Sequence, residues 1–246
     1  MLELRSTVFL ALIVLCSSRA SGQTPPAEPR DWTATVSAGF ALTSGNANTS
    51  TVNASYDITY GRQTNNIVKS DGLLLRGTQE GELSTDRLGL NVRDEFQVND
   101  HAYVFGENRY LRDRFKSIDY LLAPSAGLGY KVLDQGVTRL SFDAGIGGVW
   151  EKNLNLDVTS SGIVTIGERY EQRLTATTSV VQSYSGLWRT QDLDDSLHVL
   201  SLAAAIAVSQ RMQFKVEALD TYKSRPPDAT IRKNDVALLF ALVYSF

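Results

Sequence analysis

Cysteine is nearly absent. Cys16 is the only one in 246 residues, and His101 and His198 are the only two histidines. Cys16 falls in an N-terminal apolar stretch, and Leu15 before it does not suit a lipoprotein box, which needs a small residue there. The rest of the chain therefore has no disulfide framework, thiolate metal site or thiol nucleophile. Charge of one sign is also missing: 24 Lys and Arg face 27 Asp and Glu, a net −3. No basic field draws nucleic acid. After the N-terminus no apolar run reaches the roughly 18 residues of a membrane helix, which excludes an α-helical membrane protein. A mean hydropathy of −0.14 is still compatible with a membrane barrel, whose lumen and lipid residues alternate and average out. Of the six prolines, three lie in Thr24 to Arg30 and two are Pro226-Pro227.

Residues 1–22 read as a secretory signal: Arg5 is a weak basic start and Thr7 to Leu15 an apolar core, with small residues at Ala20 and Gly22. A buried helix or short anchor is the competing reading. Residues 23–31 form a proline-rich extended tether. No further linker or low-complexity segment follows, so residues 32–246 are expected to be one domain.

That domain is written in period two, the signature of strands. Trp32, Ala34, Val36, Ala38, Phe40 and Leu42 alternate with smaller residues, and Val52, Ala54, Tyr56, Ile58 and Tyr60 repeat the pattern. Leu88, Leu90, Val92, Phe96 and Val98 do so again, broken by Asp94. The pattern returns from Tyr120 to Val132, Leu140 to Trp150, Leu200 to Val208 and Met212 to Ala218. The faces of strands three, five and eight cannot be assigned. Asn153 to Ile163 reads as a long polar loop and Gln191 to Ser196 as an acidic one. The last eleven residues place Val236, Leu238, Phe240, Leu242, Tyr244 and Phe246 on one face.

About twelve strands of about 10 to 15 residues result, long enough to cross a membrane when tilted. Soluble sandwich strands average nearer five or six. Aromatics at predicted strand ends (Trp32, Tyr60, Tyr103, Trp150, Trp188, Tyr222, Tyr244, Phe246) suit an interfacial girdle. The fold expected is all-β: one transmembrane antiparallel up-and-down barrel in the bacterial outer membrane, with both termini periplasmic. A terminal phenylalanine with a tyrosine two residues before it resembles the closing strand of such barrels. That resemblance assigns Phe240, Leu242, Tyr244 and Phe246 to the signal read by the barrel-assembly machinery.

Several ordered motifs are similar to the YdiY-like family of salt-induced outer-membrane proteins. They are Trp32 with Gly39 and Ser44-Gly45-Asn46-Ala47-Asn48-Thr49, Arg112-Asp113-Arg114-Phe115, Gly127-Leu128-Gly129-Tyr130, Pro226-Pro227 with Lys233-Asn234-Asp235, and Tyr244-Ser245-Phe246. The resemblance implies an outer-membrane barrel and brings no catalytic residues. The family's label concerns expression and does not demonstrate salt transport.

On the inward parity the sequence puts Asp57, Arg87, Arg93, Glu95, Lys131, Asp143, Glu151, Lys215 and Glu217. Mixed signs in a narrow lumen mean salt-bridged filling, whereas an ion-selective pore shows rings of one sign. Two non-enzymatic readings stay open: a narrow passive channel for small ions or solutes, and a structural or stress-related envelope barrel. No cofactor or metal is implied, and the expected partners are outer-membrane lipids, lipopolysaccharide and the assembly machinery. The alternative is a surface hydrolase of lipid or peptide built on His198 with Asp192, Asp194, Asp195 and Ser196. Its weakness is that His198 shares the parity of Leu200 and Leu202, the predicted lipid face. The same acidic group is a candidate for Ca²⁺ or Mg²⁺, although it lacks the glycine-bearing calcium-loop pattern and reads more simply as a solvated loop. His101, beside Asp100, reads as a turn residue. A secreted soluble β protein is a third reading.

Overall fold

The computed structural model describes residues 31–44, 49–61, 64–79, 82–228 and 230–246. The predicted signal, and the tether up to residue 30, lie outside the described residues. Twelve strands are described: β1 (Trp32–Ser44), β2 (Thr49–Tyr60), β3 (Asn66–Gln79), β4 (Glu82–Gln97), β5 (Ala102–Asp113), β6 (Ile118–Gln135), β7 (Thr138–Asn153), β8 (Val158–Arg173), β9 (Thr178–Arg189), β10 (Asp192–Ala207), β11 (Met212–Lys223) and β12 (Asn234–Ser245). Each pairs antiparallel with its sequence neighbours, and β12 pairs back onto β1 to close the ring.

The period-two pattern decides what faces out. Phe40, Leu42, Val52, Leu128, Ile146, Leu202 and Leu242 stand on the outer surface, with Ile146 72% and Leu128 68% exposed. An apolar belt of this extent is stable against lipid and a liability in water. The opposite parity turns inward. Ala41, Leu75, Leu219, Ala237 and Leu239 form one interior cluster, and Ile118, Leu121, Ala123, Val149, Ile163 and Leu187 another.

At the end holding both termini the connections are short. Their first side chains cap the turns: Asn99 Oδ1 accepts the backbone N–H groups of His101 and Ala102 at 2.9 and 2.8 Å. Thr175 Oγ1 and Ser209 Oγ do the same for Thr178 (3.0 Å) and Met212 (3.1 Å). These are the local bonds that Asn, Thr and Ser offer in place of ladder partners. His101 belongs to one of these turns, stacked on Tyr130. At the seam Phe40 lies opposite Phe240 with stacked rings 5.0 Å apart. Beside them β1 and β12 approach so closely that a Cβ on Gly39 would overlap the carbonyl oxygen of Phe240.

Three expectations are corrected. The long loop over Asn153 to Ile163 is only residues 154–157, because β7 runs on to Asn153 and β8 begins at Val158. The acidic loop is strand: β10 begins at Asp192, with an irregularity in register between Asp192 and Ser196 that hides the alternation. Tyr103 is not a girdle residue but an inward one, 5% exposed. Its ring lies against Gly129, where any Cβ would collide with it.

Candidate functional site

Among the described residues the lumen gathers buried ionisable groups, and they sit in tiers. Nearer the termini, Arg93 of β4 is the hub. Its Nε donates to Glu95 Oε1 at 2.8 Å, its Nη2 to Asp143 Oδ2 of β7 at 2.9 Å, and its Nη1 lies 3.6 Å from Glu107 of β5. The guanidinium rests 3.8 Å from the ring centroid of Phe105, a cation–π contact. Lys69 adds a 2.7 Å bond to Glu95, and Arg109 pairs with Glu107 at 3.0 Å while also donating to Ser185 of β9. Arg93, Glu95 and Glu107 are 8%, 5% and 6% exposed, so the cluster is dry.

Further along, Lys215 and Glu217 pair at 2.9 Å, and Ser201 donates to Glu217 at 2.7 Å. Asp57 faces Asp71 across β2 and β3, and Asn91 donates to Asp71 at 3.1 Å. Lys131 stands apart near the terminal end, 3.9 Å from Asp134. A vestibule of about 390 Å³ opens at that end, its lining including Arg139, Glu171, Arg173 and Gln213.

Toward the far end the lumen closes. Glu151 of β7, 1% exposed, accepts from Lys223 of β11 and from Arg189 of β9, which also holds Asp195 at 2.9 Å. Arg87 of β4 donates to Thr221 of β11 at 2.7 Å, from one side of the ring to the other. Above this level the 3-10 turn Arg114–Lys116 folds inward from the β5–β6 connection. Lys116 is fully buried; its Nζ donates to the Lys233 carbonyl at 2.7 Å and pairs with Asp235 at 2.8 Å. It straps the β5–β6 connection to the β11–β12 connection across the mouth.

Of the inward residues read from sequence, Arg93, Glu95 and Asp143 come together, Lys215 meets Glu217, and Glu151 anchors a separate tier with Arg189 and Lys223. Asp57 and Lys131 join neither cluster. Glu107 and Arg109 were missed because both parities of β5 carry polar and apolar residues. Their i, i+2 spacing of opposite charges was the available clue. Nothing local in the sequence marks Lys116.

His198 lies on the outer face of β10. Its Nδ1 is 2.7 Å from the Tyr184 hydroxyl and its Nε2 2.9 Å from Ser196 Oγ, with Trp188 edge-on at 5.1 Å and Tyr222 at 5.8 Å. The acidic residues do not join it. Asp195 pairs with Arg189, and Asp192 and Asp194 pair with Arg225. The arrangement is an aromatic cluster on the outer face, with the imidazole wedged between two hydroxyls. Among the described residues no group of three or more His, Cys, Asp or Glu is placed to hold a metal ion.

The family model described as "Protein of unknown function, DUF481" matches residues 36–246. The uncharacterized protein YdiY of Escherichia coli (strain K12) is 23% identical over 222 residues, 90% of this chain and 86% of that protein. Among solved structures, a NanC porin superposes with a TM-score of 0.57 at 8% identity, covering 85% of this chain and 98% of the porin. The translocator domain of the autotransporter NalP from Neisseria meningitidis gives 0.48 at 11% identity, with 90% of each chain covered. The porin likeness shows an outer-membrane type of barrel, and the match along nearly the whole ring places the chain in the YdiY-like DUF481 family.

Proposed function

We propose that this protein is a non-enzymatic outer-membrane barrel that acts as a narrow channel for small ions, held shut at rest by its own side chains. One observation carries the reading. Charged residues bridge the lumen from wall to wall, Arg87 to Thr221 and Glu151 to Lys223, below a mouth strapped by Lys116. A water-filled porin lumen is polar but unbridged. Here a permeant ion must displace paired charges, and the mixed signs favour neither cations nor anions strongly. In this reading both termini face the periplasm, the polar vestibule opens there, and the strapped mouth faces outward. The β12 face of Phe240, Leu242, Tyr244 and Phe246 is what the assembly machinery reads, and lipopolysaccharide meets the outer rim.

The two interior apolar clusters favour a second reading, a purely structural envelope barrel, since a conduction path does not need aliphatic packing. Conductance in planar bilayers separates the two. The channel reading expects silence or rare small steps from the native chain and frequent salt-scaled steps from Lys116→Met combined with Asp235→Asn. Persistent silence from that variant, shown by gel mobility to be folded, leaves only the structural reading.

A further inference from the structure

We infer that the outer faces of β8 and β9 form the contact surface for a second copy of this chain within the membrane. The outward parity of β12 reads Val236, Leu238, Phe240, Leu242, a face made for hydrocarbon. The outward parity of β9 reads Thr178, Val180, Gln182, Tyr184, Gly186, Trp188, with one aliphatic side chain. On β8 the same face carries Glu168, Tyr170 and Gln172. These groups are organised: Gln182 Nε2 donates to Glu168 Oε2 at 3.2 Å, Tyr170 to Gln172 at 2.6 Å, and Tyr184 meets His198 at 2.7 Å.

Depth makes the stripe costly in lipid. A tilted strand rises about 2.5 Å per residue along the barrel axis, so Gln182 lies roughly 15 Å below the Trp188 ring, inside an apolar band about 25 Å tall. Glu168 reaches Gln182 and so shares its depth. A carboxylate has room for about four donors, and one amide leaves most of that capacity unmet in hydrocarbon.

The stripe complements itself. Glu168 is acceptor-only when ionised, while Gln182, Tyr170 and Tyr184 offer donors on the same face. A two-fold axis along the membrane normal brings equal depths of two copies together, so the carboxylate of one faces the amide and hydroxyls of the other. A closed ring has no free strand edge, so association must use a side face such as this one. The occupant is a second copy.

The scarcity of cysteine supplies the test. In the full chain carrying Cys16→Ser, single cysteines are introduced at Gln182, at Leu238 and at Leu128, and outer membranes are oxidised before a non-reducing gel. A disulfide dimer at Gln182→Cys and not at the other two positions is expected. Monomer at all three, or equal dimer at all three, overturns the proposal. The protein in mild detergent should also sediment at twice the mass of a single processed chain, and Glu168→Leu with Gln182→Leu should shift it to a single chain. Leucines on a lipid face favour a folded monomer, so a folding defect does not confuse that result. A wild-type protein that sediments as one chain, including one that holds a lipid headgroup on the stripe instead, refutes it.

Discussion

Arg93→Ala is the sharpest test of the lumen. The substitution removes the cation shared by Glu95, Glu107 and Asp143, whose side chains are 7%, 3% and 15% exposed. Glu95 keeps Lys69 and Glu107 keeps Arg109, but Asp143 loses the 2.9 Å partner that holds it. Breaking a buried pair by deleting one member costs about 3–5 kcal/mol, because the other charge stays behind. The lost contact with Phe105 adds about 1 kcal/mol at a desolvated site. Asp143 is the least buried of the three carboxylates, which reduces the first figure, so a net loss of about 3 kcal/mol or more is expected. Guanidinium unfolding from phospholipid vesicles, followed by tryptophan fluorescence, measures it. Asp143→Asn alone and the double variant complete a cycle. The double variant should be clearly less destabilised than the sum, since Asn leaves no charge unpaired. A loss under about 1 kcal/mol from a natively folded Arg93→Ala would mean that the tier is solvated, and the plugged lumen would fall with it.

Two further outcomes follow from geometry. Gly129→Leu should abolish the folded, heat-modifiable band on gels, because the side chain enters the ring of Tyr103; adding Tyr103→Ala should restore it in part, and no rescue would mean that the glycine serves another purpose. Trypsin added to intact cells should cut after Arg232, which is exposed in the long far-end connection and is followed by Lys233, while cutting only after the membrane is broken would invert the orientation of the barrel.

Much of the fold was legible because lipid is an undemanding solvent: it requires one parity of each strand to be apolar and leaves that rule visible in β1, β2, β6 and β12. The rule fades where the inside is also apolar. In β5 the inward Tyr103, Phe105 and Leu111 are as apolar as the outward Val104 and Tyr110, so neither face stands out. In β8 the failure has the opposite cause, since the outward Glu168 and Gln172 are polar and mimic a lumen face. The residues around Asp192 looked like a loop because three acids sit in four positions, yet Arg189 and Arg225 neutralise them from neighbouring segments. Charge partners distant in sequence have no period. Lys223 with Glu151 and Lys116 with Asp235 became visible only in three dimensions.

The seam between β1 and β12 also sets a clock. Phe40 and Phe240 pair although about 200 residues separate them, and contacts so remote in sequence form slowly. Until Asn234–Ser245 arrives, every partial sheet has two raw edges and a greasy exterior, the conditions under which chains aggregate. An unfinished ring is therefore exposed to aggregation for longer than a hairpin-by-hairpin reading suggests. A mutation at the seam acts first on the yield of finished rings and only afterwards on the stability of those that close.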